Sequence, residues 1–487
     1  MTRGRLAIHA HFYQPERRDP FGGRMRPDPS AAPYATWSDR ITAECYRPNA
    51  ERGNLDRISF NIGPTLTSVL AANAPEVLAR IAVAARNQNA LAQSFHHAIL
   101  PLASPRDRRT EIRWGIRDFR LRFAHAPSGF WLPETAVDDA VLRTLAEEGI
   151  RWTVLAPWQA ATPAIESRRP HRVELGGGRS LVVAFYDSAL SGAVSFQPEV
   201  TADADRFARD WVLPRTSSPL HRDSSSSWQA GSALVLVATD GELYGHHQPF
   251  RDLFLQRLVD PTVDRGFDVV PLGQALAAAE HEALPPVRVA ERTSWSCHHG
   301  VLRWSAECPC AADGRWKQPL RAALDRLAGG IDAVTEWRAA ALPAASWADG
   351  GPGPDGGPVP LDPWAARDAY VDVVLGLATP EAFSAHLLGD HAPVPARRDL
   401  ETLMEAQRWR LAMFASDGWY WEEPSRPETR QVLRSAARAA QLVDGIAGTR
   451  LERRLLEDLT LVASPTRGAD GVAIYLEALA EVGQSPA

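Results

Sequence analysis

Lysine is almost missing from this sequence: of 53 basic residues Lys317 is the single lysine, and the rest are arginine. Such a bias reflects GC-rich coding rather than arginine-specific chemistry. Against 59 acidic residues it leaves a net charge of −6, with no basic face of the kind nucleic acids require. Cysteine is scarce too, four in 487 residues with three between Cys297 and Cys310. That excludes a disulfide framework and makes reduced thiols the expectation. No stretch approaches the roughly 18 uninterrupted apolar residues of a membrane span. Met1-Thr2-Arg3-Gly4-Arg5 leads into a short apolar segment with no h-region or cleavage site. The expectation is a cytoplasmic protein with neither membrane nor nucleic acid as partner.

What is present is an α/β alternation. Short apolar runs end in polar or glycine-rich turns at Leu6–Ile8, Trp152–Leu155, Leu181–Phe185 and Ala233–Ala238, separated by helical stretches such as 137–148. Runs of this length and composition read as buried parallel strands. The basic run from Arg106 to Arg122 carries Asp107, Glu111 and Asp118 and reads as a solvated helix face. Residues 215–232 form a polar, serine-rich loop, and 341–363 is dense in Gly and Pro. Beyond it, helical spacing in 406–414 and 428–442 predicts a mostly helical C-terminal region. The expected division is a catalytic barrel over 1–290, a helical segment beside the active site over 291–340, a linker over 341–363, and a helical domain over 364–487.

Two pieces carry a carboxylate just past an apolar run: Phe130-Trp131-Leu132-Pro133-Glu134 and Ala238-Thr239-Asp240-Gly241-Glu242. In α/β barrels functional side chains collect at the C-terminal ends of the strands, where His9, His11, Asp187 and Asp240 also lie. His9 and His11 are two apart, so on a strand they face the same way. That spacing serves a metal, a sugar hydroxyl or a structural role, and by itself does not choose among them. Cys297-His298-His299 with Cys308-Pro309-Cys310 offers soft ligands, but the spacing is an imperfect match to structural zinc sites, and buried thiols are the commoner outcome.

The order of the pieces is more telling than any one of them. His9-Ala10-His11-Phe12-Tyr13-Gln14-Pro15, Phe60-Asn61-Ile62-Gly63-Pro64, His97-Ala98-Ile99-Leu100-Pro101, Trp131-Leu132-Pro133-Glu134, Asp187 with Leu190-Ser191, and Asp240-Gly241-Glu242-Leu243-Tyr244-Gly245-His246 resemble the successive motifs of family 57 glycoside hydrolases. The resemblance implies an incomplete (β/α)7 barrel followed by a mostly α-helical C-terminal region, and a retaining activity on α-glucans. It implies Glu134 as nucleophile, Asp240 as general acid/base, and His11 and His97 lining the sugar subsite. His9, Gln14, Trp131, Asp187, Glu242, His246, Trp295 and His298 are further substrate-binding candidates. Ser416-Asp417-Gly418-Trp419 resembles the family's last motif and adds Asp417 and Trp419, although Gly418 departs from the commoner Asp-Trp arrangement. The C-terminal part resembles a subgroup with an extra domain of unknown function.

The implied chemistry is double displacement on an oligo- or polysaccharide, with no cofactor and no metal. Asp240 is expected to hold its proton through burial and the charge of Glu134. Glu242 either orients Asp240 or holds a sugar hydroxyl. Two rivals make other demands: a metal-dependent amidohydrolase or deacetylase would use the His9–His11 pair as ligands, and a silent carbohydrate-binding protein would bind without turnover. Sequence does not separate hydrolysis from glucan transfer or branching.

Overall fold

Strand β1, Gly4–Phe12, is buried along its length except at the half-exposed Arg5, as a strand covered on both faces must be. It pairs in parallel with three neighbours: β2 (Ser59–Ile62), β8 (Leu234–Asp240) and, at its N-terminal end, β9 (Phe267–Val269). The remaining strands are β3 (Ala90–Gln93), β4 (Gly129–Trp131), β5 (Trp152–Leu155), β6 (His171–Gly176) and β7 (Arg179–Phe185), and the sheet order is β6-β7-β5-β4-β3-β2-β1-β8 with β9 beside β1. All pairings are parallel except the β6–β7 hairpin. Seven parallel strands from β7 to β8 therefore curve through a (β/α)7 arrangement that stays open, since no ladder joins β7 to β8 among the described residues. Near the gap, the Asp187 amide donates to the Leu236 carbonyl at 2.8 Å.

The computed structural model describes residues 3–162, 164–218, 220, 228, 233–279, 282–342 and 361–486. They fall into two units, one of Met1–Glu16, Arg26–Ala103 and Gly115–Val301, the other of Arg17–Met25, Ser104–Trp114 and Leu302–Ala487. Most of the serine-rich loop and residues 343–360 of the Gly/Pro-rich stretch lie outside the described residues. The crossover helices of the first unit start where the sequence signals them. Pro64 occupies the first turn of α1 (Pro64–Asn73). Asp138 caps α2 (Asp139–Glu147) by accepting from the Val141 amide, and Val141, Leu142 and Leu145 bury its inner face. Among the described residues no helix is long and apolar enough to cross a membrane.

The second unit is helical, with α3 (Lys317–Ala339), α4 (Pro363–Ala369), α5 (Val394–Ala412) and α6 (Pro427–Ala447) as its main members, and no strand follows Pro363 among the described residues. Along α6 the buried positions Val432, Leu433, Ala436, Ala437, Ala440 and Val443 form the stripe that packs on α5. The segment 105–122 corrects the sequence reading. Asp107, Glu111 and Asp118 are all buried, so this is no solvated face. Asp107 is taken up by Arg367 and Arg410 at 2.8 and 2.6 Å, and Arg410 continues to Asp332 at 2.8 Å. In the first unit Asp118 accepts from Thr67 at 3.2 Å and Arg122 at 3.1 Å. Alternating charge along a helix signals exposure only when no distant partner arrives to neutralise it.

Burial alone would raise Asp107, but Arg410 and Arg367 outweigh it and hold the carboxyl below its usual range. Replacing one partner of such a group strands the others. Asp107→Asn is expected to lower unfolding free energy by about 3 to 5 kcal/mol, measured by urea denaturation. A loss within experimental error would show that the two guanidinium groups need no counter-charge.

Candidate active site

The C-terminal end of β1 sets the pocket. The β1–β2 register places His11 opposite Asn61, and the β1–β8 register places it opposite Asp240. His9 and His11 point to the same side of the strand, and both reach the Asn61 side chain: His9 Nε2 lies 3.0 Å from Oδ1, and His11 Nδ1 lies 3.1 Å from Oδ1 and 2.9 Å from Nδ2. Burial drives the His9 ring down to about 3 and the His11 ring to about 4, only partly offset by these hydrogen bonds. Both imidazoles are therefore neutral near pH 7. Their faces are covered by aromatics: Trp131 stacks on His9 at 4.6 Å and on His11 at 5.1 Å, and His97 stacks on His11 at 5.3 Å and on Tyr13 at 3.9 Å. His97 is likewise pushed well below its ordinary value, by burial first and by His11 second.

Glu134 sits in the turn that leaves β4. It adopts φ 57°, ψ 20°, and Thr135 follows at φ 46°. This left-handed region costs a non-glycine residue roughly 1 to 2 kcal/mol. Tertiary hydrogen bonds hold the turn: Thr135 Oγ1 donates to Gln159 Oε1 at 2.9 Å, Gln159 Nε2 donates to the Thr135 carbonyl at 2.8 Å, and the Trp295 amide donates to the Glu134 carbonyl at 3.0 Å. On the side chain, Trp295 Nε1 and Ser296 Oγ both donate to Oε2, at 3.1 and 2.7 Å. The indole of Trp295 meets Trp131 edge to face at 5.1 Å, so one short segment positions the carboxylate and walls the pocket.

Asp240 ends β8 with its side chain exposed while the strand beneath is buried. Gly241 follows because a Cβ there would stand 2.3 Å from the Phe12 ring. Surrounding protein raises Asp240 to about 6, and the charge of Glu134 adds to the rise. Glu242 turns inward and is buried; its Oε1 accepts from the Tyr46 hydroxyl at 2.6 Å and the Tyr13 amide at 3.2 Å. Burial, with Asp240 nearby, pushes it up to about 8 against the opposing pull of the Tyr46 hydrogen bond.

The other expected site residues divide. Gln14 is buried at the C-terminal end of β1, and His298 is exposed beside Trp158, ring centroids 5.4 Å apart. His246 Nδ1 donates to Glu44 Oε2 at 2.5 Å and meets Trp37 edge-on. Asp187 has structural work: it caps a helix by accepting from the Leu190 amide and pairs with Arg215 at 2.9 Å. In the second unit Asp417 opens a short helix, Asp417–Tyr420, whereas Trp419 is buried and stacks on Trp316 at 6.3 Å. The Trp419 ring is 1% exposed and lies in the core of the helical unit. None of the four cysteines is in a disulfide; Cys297 Sγ lies 3.9 Å from His299 Nδ1 in the first unit, and Cys308 Sγ lies 3.3 Å from Cys310 Sγ in the second. Sequence reasoning missed Tyr13, Tyr46, Asn61 and Ser296. Tyr13 and Asn61 stand inside quoted motifs without being singled out and Ser296 adjoins Trp295, but nothing marks Tyr46 in advance.

Comparison with known proteins gives this arrangement its class. The model of glycosyl hydrolase family 57 matches residues 36–282, about half of the chain, and the chain belongs to that family. A domain of unknown function (DUF3536) matches residues 354–482. A probable 1,4-alpha-glucan branching enzyme of Mycobacterium tuberculosis is 25% identical over 241 residues, covering 42% of this chain and 46% of that protein. The chain thus spans about half the length of the curated relatives it matches. Among solved structures, an exo-type maltose-forming amylase from Pyrococcus sp. ST04 superposes with a TM-score of 0.68 at 15% identity, covering 98% of this chain and 88% of that one. A branching enzyme of the same family from Pyrococcus horikoshii gives 0.57 at 14% identity, covering 97% and 96%. These likenesses establish the fold.

Glu242 makes the site pH-sensitive in a definite direction. A carboxyl raised in the folded state keeps its proton there while the unfolded chain releases it, so its contribution to stability is complete below the unfolded value and is lost as pH rises towards 8. Wild type is expected to lose more thermal stability between pH 5 and 8 than Glu242→Gln, followed by calorimetry at each pH. Parallel curves for the two proteins would contradict a neutral buried Glu242.

Proposed function

We propose that the protein is a retaining α-glucan-active enzyme, a hydrolase or glucanotransferase working through a glycosyl-enzyme intermediate, with Glu134 as nucleophile and Asp240 as general acid/base. The observation that carries this reading is the contrast between the two carboxyls. Glu134 receives two side-chain donors on one oxygen, which stabilise negative charge, whereas Asp240 is raised to about 6 by its surroundings and by Glu134. Environments that push two carboxyls apart assign an acid and a nucleophile.

In the first step Glu134 attacks the anomeric carbon, the bond to the leaving oxygen breaks, and the Asp240 proton passes to that oxygen. The Trp295 and Ser296 donors hold Oε2 and so orient the carboxylate that forms the new bond. In the second step Asp240, now ionised, takes the proton of a water or an acceptor hydroxyl as that oxygen attacks the same carbon and releases Glu134. Two inversions give retention, and geometry of this kind requires the carboxyls about 5 to 5.5 Å apart. The neutral imidazoles of His9, His11 and His97 add no positive charge to compete with the developing oxocarbenium centre, and the rings of Trp131 and Trp295 offer apolar surface to sugar C–H groups. The chemistry asks for no cofactor or metal, and the protein's setting is cytoplasmic in this reading.

Incubation with maltoheptaose and with amylose, followed by analysis of product length and linkage, tests the function and separates hydrolysis from transfer or branching. Glu134→Ala is expected to lower turnover by about 10⁴-fold or more with folding intact by circular dichroism. Turnover near wild type would remove Glu134 from its role. Binding of maltooligosaccharides without any product would instead indicate a silent binding protein, and loss of turnover on brief chelation would indicate a metal-dependent hydrolase.

The pH profile follows from Asp240. Only its protonated form can serve the leaving oxygen, so kcat/KM is expected to fall as pH rises above about 6. In Glu134→Gln the neighbouring charge is gone, and a carbon-detected NMR titration of the Asp240 carboxyl should move down towards the ordinary aspartate value. An unchanged titration would show that Glu134 does not act on Asp240.

A further inference from the structure

Gln159 closes the short 3-10 turn Pro157–Gln159 that follows β5, and it is wholly buried. Its side-chain amide makes four hydrogen bonds. Oε1 accepts from the Ala156 amide at 2.8 Å and from the Thr135 hydroxyl at 2.9 Å. Nε2 donates to the Thr135 carbonyl at 2.8 Å and to the Thr293 hydroxyl at 3.3 Å. Two of these partners are main-chain groups with fixed roles, since a backbone N–H only donates and a carbonyl oxygen only accepts. Turning the amide over would set N–H against N–H at Ala156 and oxygen against oxygen at Thr135, so its orientation is settled. The Thr293 hydroxyl agrees with it, because its own hydrogen goes to the Ala290 carbonyl at 2.8 Å and its oxygen is left to accept.

These bonds join the two segments that build the Glu134 carboxylate site. Thr135 completes the left-handed pair with Glu134, φ 57° and 46°, a conformation that persists only where its surroundings impose it. Both the hydroxyl and the carbonyl of Thr135 end on Gln159. Thr293 opens the stretch that continues to Trp295 and Ser296, the two donors on Glu134 Oε2. The main chain ties the same segments: the Ala290 amide donates to the Gln159 carbonyl at 2.8 Å, and Val137 and Thr293 exchange amide-to-carbonyl bonds at 3.0 and 3.2 Å. Trp158, in the same turn, donates Nε1 to the Ser294 carbonyl at 3.0 Å.

We propose that Gln159 is a positioning residue for the nucleophile, holding the Glu134–Thr135 turn and the stretch that carries the two Glu134 donors as one unit aligned for attack. The inference rests on Glu134 as nucleophile and adds what keeps its backbone in place. Gln159 acts through Thr135 and Thr293, and none of its hydrogen bonds goes to β8, where Asp240 stands. Its loss therefore bears on the attack and leaves the proton-transfer group alone. Alignment is where a small movement is costly: a displacement of about 1 Å at the reacting atoms can lower the rate about 100-fold.

Gln159→Met keeps the length of the side chain and removes all four hydrogen bonds. On maltoheptaose kcat is expected to fall about 100-fold with KM within about twofold of wild type, while the descending limb of the pH profile near 6, which belongs to Asp240, stays in place. General loosening of the site would raise KM and move that limb as well. A crystal structure of the variant without substrate reads the cause: the Glu134–Thr135 backbone is expected to leave the left-handed region, or the carboxylate to part from Trp295 and Ser296. Wild-type kcat in the folded variant overturns the proposal. So does a loss carried by KM, or a lost kcat with the turn and both Oε2 contacts unchanged. If Gln159→Met does not fold, Thr135→Val removes the hydroxyl bond alone and is expected to lower kcat about 10-fold at constant KM; unchanged kcat there overturns the proposal. Failure of the underlying reading looks different, because turnover retained in Glu134→Ala would remove the nucleophile while the crystal structure still showed whether Gln159 holds the turn.

Discussion

The parallel pairing of β1 with β2 on one edge and β8 on the other is the constraint on which the pocket depends. It sets His11 level with Asn61 and Asp240 across three neighbouring strands. Because side chains alternate along a strand, a slip of one residue in either ladder would send the corresponding group to the opposite face. Nothing in the local turns could restore it. The close approach of Gly241 to the Phe12 ring has the same origin: the strands lie so near that the residue after Asp240 has no room for a side chain.

Within that frame the site works by withholding water from ionisable groups. His9, His11, His97 and Glu242 all move towards their neutral forms, and burial is the leading cause in each, while Asp240, open to solvent at its tip, is raised by the protein around it and by Glu134. A cluster of three imidazoles and two carboxyls would carry several charges in water. Here the three imidazoles and Glu242 are neutral near pH 7, and negative charge is left to Glu134, on which Trp295 and Ser296 donate, and to Asp240 once the pH passes about 6. The strained backbone of Glu134 is tolerable for the same reason, since the hydrogen bonds that hold Thr135 and the Glu134 carbonyl are themselves sheltered.

The strands were legible where composition alone decides. Trp152–Leu155 is β5 to the residue, the runs Leu6–Ile8 and Leu181–Phe185 fall within β1 and β7, and Ala233–Ala238 begins one residue before β8. The antiparallel β6 was not, because His171–Gly176 alternates polar and apolar positions over too few residues to stand out. Motif order brought Glu134, Asp240 and the histidines to one end of the sheet, but it was silent on what holds them. Ser296 and Tyr46 contact Glu134 and Glu242 across 162 and 196 residues, separations at which no local pattern survives. Charge alternation misled at Asp107 and Asp118 because their partners arrive from elsewhere in the chain, and the aromatic run around Trp419 gave no means of telling a core indole from an open one.

Trp295 and Ser296 lie past residue 282, and His9 and His11 lie before residue 36, so the stretch that matches the family model contains both carboxylates but neither the donors on Glu134 nor the histidine pair. The apparatus is consequently not a transplantable cassette. Recombination that moved the matched stretch alone into another chain would carry the reactive groups and leave their orientation behind, so the flanks and the centre are bound to be inherited together.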